Sequence, residues 1–573
     1  MEVLQHERSQ TLVNITGHGI NETDLRFGAM RRQAKPAPDA ALLAFIRLSG
    51  KAERLYGSIV YVGQEYSNVN YLLRNRARNQ AAYHFPANQI SREYTGHELY
   101  RIPREAFTMP SPELVDELLG SYFRHVNPGF PILDEDIFMA QYRNKDPANP
   151  PSLLVLQAVL LVGAHVSRDR PDRDDLKVAF FRRAKMLFDA RFEWNRDVVV
   201  QAALLLTWHS EGVEDIGANS YHWVGVAART AQGLGMHRDT GPTTLVAHDK
   251  RLWKRLWWIL FQFDVLVSLS YGRPQAINLD DCDVPELGPA DFDHLGENVD
   301  ADFLIHQTQL CCVISRAVKR TYGLKASPPH RRAALVEADR MLARWISRLP
   351  VSLRRAGDQQ NASFWQAVLH INYNNFLILL HRPPPRPASI PGANKQDDMK
   401  ICFDAATTMA SLFETIVAQG RLRYMNFFAV DALFTGLIQL SAEMRGVNPI
   451  LSANAKTIFD SALGILHSLS EYWLNGEMIL RLFRDTSENL RQQLQIGERT
   501  IGGDHREDST NSESAMTAAE PQPDKAAGCS SIDWGSGMDL THAAMLNDQL
   551  DWSNMYWEQS GFTSLSPFTN MTP

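Results

Sequence analysis

The stretch KRLWWILFQFDVLVSLSYGRPQAINLDDCDVP, residues 254–285, decides how this chain folds. Trp253, Trp257, Trp258, Phe261 and Phe263 recur at helical spacing beside Leu252, Leu256, Ile259 and Leu260, and after Arg255 the segment is nearly apolar all round. That pattern predicts a central, buried helix over 246–270. Gly272-Arg273-Pro274 ends it, because glycine supplies a left-handed stop and proline forbids continuation. The tryptophan stripe could line a ligand cavity, but core packing is the simpler reading. Clustered carboxylates after a helix, here Asp280, Asp281 and Asp283 around Cys282, could hold Mg2+ for diphosphate chemistry. Lying between Asn278 and Pro285, they read instead as a solvated turn, with Arg273 expected to pair with the three acids and pin the loop.

Outward from this helix the same periodicity repeats. Ser111-Pro112-Glu113-Leu114 places an N-cap, a proline at the first helical position and an early acid before apolar residues at 114, 115, 118, 119, 122 and 123. That helix should stop near Asn127-Pro128-Gly129, with Asp134 or Asp136 capping the next. Further helices are expected over 152–167, 174–191, 197–211, 218–235, 301–322, 329–348, 361–381, 395–418, 424–444, 451–470 and 477–494, and a short one begins at Asp39. No run of alternating strands competes; Gly57–Gly63 has some β character but no evident partner. The fold class is all-α, a large multi-helix domain.

The chain of 573 residues is 44% hydrophobic and 21% charged, enough to bury a large core. Its mean hydropathy is −0.27. Lys and Arg number 58 against 65 Asp and Glu, a net charge of −7. From Gly497 onward there are twelve acids and three bases, a net of −9, which leaves the preceding residues at +2. Neither a basic stripe nor a groove-reading helix stands out, so any DNA contact by this chain alone is expected to be weak and non-specific; Arg74, Arg76 and Arg78 read as a solvated face. Four parts are expected: a disordered leader over 1–36, an N-terminal extension over 37–110, the helical domain over 111–496 and a disordered acidic tail over 497–573. Within the tail, Leu550, Asp551, Trp552, Tyr556 and Trp557 interleave aromatics with acids that keep them in water and available to a partner surface, the logic of an activation segment; the equal alternative is that they dock on the chain's own helices.

Five cysteines, Cys282, Cys311, Cys312, Cys402 and Cys529, are too few for a disulfide framework and lack the paired spacing of structural zinc sites. The first twenty residues have no apolar signal region, and the longest apolar run, Leu153–Ala164, is shorter than the roughly 20 residues a bilayer demands. A soluble, intracellular protein is expected. Phosphate-cradling glycine loops, zinc-protease helices and serine-hydrolase elbows are not found in the sequence. The histidines at 165, 209, 222, 237, 306, 370 and 381 read as core or interface residues, and His237 as a cation at a helix end. No catalytic, cofactor or metal residue is assigned, and the chain is not expected to be an enzyme.

Four blocks in order resemble the regulatory middle region of fungal zinc-cluster transcription factors: LGSYFRHVNPGFPILDEDIF at 119–138, QAALLLTWHSEGVEDIGANSYHWVGVAARTAQGLGMHRD at 201–239, the stretch at 254–285, and NNFLILLHRP at 374–383. With the helices between them they cover roughly 110–490. The pieces at family-like spacing are Arg255-Leu-Trp257-Trp258, Gly272-Arg273-Pro274 and Asp281-Cys282-Asp283-Val-Pro285. Ser152–Ser167 and Tyr61-Val-Gly resemble the group of cutinase and fatty-acid-responsive activators. The resemblance implies a nuclear regulator of metabolic or biosynthetic genes. Its implied partners are the transcription machinery through the tail, a homo- or heterodimer with zinc-cluster factors, and a small-molecule inducer. Family members usually carry an N-terminal six-cysteine module with two zinc ions; no cysteine precedes Cys282, so no zinc is expected here, and DNA contact would come from a partner or from an upstream exon. Two other readings are an all-α enzyme acting on a hydrophobic diphosphate and a dominant-negative or scaffold partner of full-length relatives.

Overall fold

The computed structural model describes residues 59–61, 63, 84–86, 100–144, 150–167, 170–193, 195–210, 217, 219–243, 245–296, 298–355, 363–382, 395–445 and 448–484. A short antiparallel ribbon, β1 Ile59–Tyr61 and β2 His84–Pro86, precedes the helices. These run in chain order as α1 Pro112–His125, α2 Glu135–Asn144, α3 Leu153–Val166, α4 Arg173–Asp189, α5 Arg196–Leu206, α6 Ser220–Leu234, α7 Ala247–Tyr271, α8 Ala301–Thr321, α9 Pro328–Ser347, α10 Phe364–His381, α11 Lys395–Ala418, α12 Phe428–Glu443 and α13 Pro449–Ser470. The last helix among the described residues, α14, covers 474–484.

Local chemistry sets the helix starts. The Ser111 hydroxyl accepts the Leu114 N–H at 3.4 Å with Pro112 at the first position, and Asn219, Asp300 and Asn448 cap α6, α8 and α13 in the same way. Packing sets their order. Every residue of α3 is buried, and α1, α4 and α5 close around it. A β-carbon at Gly163 would collide with the Leu118 carbonyl, so α1 and α3 meet backbone to backbone there. A second group forms where α10 lies along α11 and both meet α12. The tryptophan helix, α7, joins the groups through contacts with α5, α6, α8 and α12. By length and composition α11 could cross a membrane; in this fold it is a wall of the body, packed on α10, α12 and α13.

Several expectations need correction. The β segment does have a partner: Tyr61 pairs with His84 and Val60 with Phe85, and the ribbon rests on α6. Asp134 stands just before α2, where its carbonyl accepts the Phe138 N–H at 2.9 Å, while its carboxylate is held by Arg255. The helix expected from 424 starts at Phe428, behind a 3-10 turn at Leu422–Tyr424. The helix at Asp39, the arginines at 74, 76 and 78, and the tail lie outside the described residues.

One buried contact ties α9 to the second group in a pH-dependent way. His381, 4% exposed at the end of α10, bonds Asp398 of α11 at 2.8 Å through Nδ1 and Asp339 of α9 at 3.1 Å through Nε2. Burial works against the imidazolium, but hydrogen bonds and charge from Asp339 and Asp398 outweigh it, so the folded value lies above the ordinary 6.5. A raised histidine contributes stability that is fully present below the unfolded value and is lost as pH rises through the folded one. Melting temperature is therefore expected to fall as pH climbs from about 6.5, and more steeply in the parent than in His381→Gln; parallel slopes would show that this contact carries no charge.

Candidate functional site

The site grows from Arg255, a guanidinium with no exposed surface. Its Nε donates to the Pro131 carbonyl at 2.8 Å, one terminal nitrogen meets the Asp134 carboxylate and the other lies 3.3 Å from His294 Nε2. The second Asp134 oxygen is 3.4 Å from His248 Nδ1. Burial lowers the Arg255 pKa, and the charge and hydrogen bond of the Asp134 carboxylate oppose that. The loop between α1 and α2 is thereby fixed to the middle of α7.

Along the same helix, Trp257 is wholly buried and Trp258 nearly so. Trp258 Nε1 donates to the Pro285 carbonyl at 2.9 Å, tying the helix to the loop that returns over it. Asp264 accepts the Ala276 and Ile277 amides at 3.0 and 2.9 Å, and burial pushes its carboxyl up to about 6. Gly272 takes φ +60°, a conformation that spares only glycine a steric penalty. The Pro274 carbonyl accepts the Tyr221 hydroxyl at 2.9 Å.

Arg273 does not reach the acids. The turn at Gly272 sends it back over the rings of Tyr221 and Tyr271, 5.1 Å from each centroid. Other groups hold the carboxylates: Asp280 pairs with Lys319 at 2.6 Å, Asp281 accepts the Asn278 amide at 3.0 Å, and Asp283 takes a two-pronged bond from Arg238 at 3.0 and 2.8 Å with the Asp239 N–H at 2.7 Å. Burial works against the Asp283 charge, yet these bonds hold its carboxyl below the usual range. A double-mutant cycle is expected to find about 0.5–1 kcal/mol of coupling between Arg273 and Tyr221 and none between Arg273 and Asp281; the reverse would restore the sequence-based pairing.

The site holds together mechanically and offers little reactive chemistry. Burial and the flanking Asp281 and Asp283 push the Cys282 thiol up to about 12, so it stays protonated. Among the described residues no three His, Cys, Asp or Glu side chains converge as a metal would require. His237 lies just past the end of α6 and is buried; its ring packs edge-on against Tyr61 at 4.9 Å and near Trp257 at 6.0 Å, and its carbonyl accepts the Asp283 N–H. The structure therefore brings Arg255, Trp258, Asp283 and Pro285 into one assembly, sets Gly272, Arg273 and Pro274 at its far end, and leaves Asp281 and Cys282 on the rim. Sequence reasoning passed over Arg238, Asp264 and Lys319; a lone carboxylate in the apolar run of α7 was a readable signal for Asp264 alone. Leu550, Asp551, Trp552, Tyr556 and Trp557 lie outside the described residues.

Comparison with known proteins places this assembly. A family described as the fungal specific transcription factor domain matches residues 119–328. The chain is 51% identical over 442 residues to the acetamidase regulatory protein of Aspergillus oryzae, covering 76% of this chain and 56% of the relative. It is 50% identical over 440 residues to the protein of that name from Emericella nidulans, covering 76% and 54%. It is 35% identical over 471 residues to cutinase transcription factor 1 alpha of Fusarium vanettenii, covering 77% and 51%. The chain thus spans about half the length of the curated relatives it matches.

Proposed function

We propose that this chain, which belongs to the fungal specific transcription factor domain family, is a regulator of transcription of metabolic or biosynthetic genes, with the helical body as its regulatory part and residues 497–573 as an activation tail. The observation that carries the reading is the likeness, over about three quarters of this chain, to proteins named as a regulatory protein and a transcription factor. The relatives' names, an acetamidase regulatory protein and a cutinase transcription factor, point to genes for enzymes. The site fits this reading: its buried ion pair and the Trp258–Pro285 bond fix loops onto α7. The protein works in the nucleus. It contacts the transcription machinery through the tail, pairs with itself or with a zinc-cluster factor, and answers a small-molecule inducer. Its DNA contact comes from a partner or from a zinc cluster encoded upstream.

The hydrophobic-diphosphate reading is weakened by Lys319, whose ammonium sits on Asp280 where the enzyme would need a free ligand. The scaffold reading is separated by a fusion experiment. The chain joined to a foreign DNA-binding domain is expected to raise a reporter well above that domain alone, and deletion of 526–573 to return it to background. Output that survives the deletion, or never appears, would overturn the activation role and favour the scaffold.

A further inference from the structure

Beside the acidic loop, three segments converge on a cleft of about 160 Å3: the turn that follows α6, the first turns of α7, and the loop after Asp283. Its apolar lining is Met236, Val284 and Pro285, and its rim carries four cations, Arg238, Lys250, Arg251 and Lys254, against two acids, Asp239 and Asp291.

The cations differ in how they are held. Arg238 is bonded through two nitrogens to Asp283, and Lys254 pairs with Asp291 at 2.7 Å. Lys250 donates to the Gly241 carbonyl at 2.9 Å, so its charge meets only a neutral acceptor. The Asp239 carboxylate already accepts the Gly241 N–H at 2.8 Å. Arg251 is the exception: its Nε is buried with no hydrogen-bond partner. An unmet buried guanidinium N–H is costly, and a planar fork beside a second cation suits a carboxylate or phosphate in size and sign.

We infer that this cleft is a binding site for a small organic anion, its carboxylate or phosphate seated on Arg251 and Lys250 and its apolar part on Met236, Val284 and Pro285. Such a ligand would staple the turn after α6 to α7 and to the loop that Trp258 holds through Pro285. Occupancy would then report on the assembly that joins the two groups of helices. The site follows from the geometry alone; only its role as an inducer site rests on the proposed function.

The test uses the full chain with acetate and inorganic phosphate as probes, at constant ionic strength against chloride. At about ten times the dissociation constant, a ligand that binds only the folded chain should raise the melting temperature by about 2 °C. That rise is expected with at least one probe, absent in Arg251→Gln and retained in Arg229→Gln, which changes an exposed position on α6. A response to phosphate alone assigns a phosphate-bearing ligand, and one to acetate alone a carboxylate. If Arg251→Gln does not fold, Lys250→Gln must reduce the rise. No rise with either probe, or an equal rise in the variants, overturns the site. Binding with a silent reporter would leave the site standing while the regulatory reading fails.

Discussion

Arg255→Ala is expected to cost about 3–5 kcal/mol of stability. The guanidinium is fully buried and serves three acceptors on two segments. Its removal strands the Asp134 carboxylate, whose side chain is 9% exposed, beside a half-exposed His248 that cannot replace it. The stranded charge, not the lost attraction, makes up most of the penalty, so adding Asp134→Asn should recover a good part of it. Urea unfolding of the two single variants and the double variant checks this. A loss below about 1 kcal/mol, the range of exposed ion pairs, would mean that the pair does not hold the α1–α2 loop to α7.

Trp257→Ala is expected to cost about 3–5 kcal/mol through the cavity it opens. Trp257 is 0% exposed, and its indole N–H has no hydrogen-bond partner, so truncation removes packing without stranding an acceptor. Trp257→Phe should therefore cost far less than alanine. The comparison separates a core residue from a cavity wall: a tryptophan lining an open site would give a stable alanine variant with altered ligand response. A shift of the urea midpoint in the alanine variant, with phenylalanine close to the parent, is the outcome expected of core.

Much of the fold was legible because the helices have wide apolar faces and distinct stops. The run at 153–166 and the stretch at 254–272 allow no half-exposed strand, and Ser111-Pro112 and Gly272-Arg273-Pro274 carry their boundaries in the residues themselves. The ribbon was hidden because His84–Pro86 is three residues long, ends in proline and follows a long polar connection. Partner choice at the acidic loop was hidden for another reason. Arg273 is near Asp280–Asp283 in sequence, whereas the cations that bind them come from 45 residues before Asp283 and 39 after Asp280. Sequence proximity says nothing about which way a left-handed turn throws a side chain; here it threw Arg273 onto two tyrosines. The orphan nitrogen of Arg251 had no signature at all, since it depends on what three separate segments fail to provide.

Chromatin immunoprecipitation of the tagged chain from fungal cells tests the regulatory claim most directly. Discrete enrichment at promoters is expected, changed by growth conditions that alter expression of the adjoining genes. Recovery of chromatin no greater than from an untagged strain, with the protein folded and present, would contradict it.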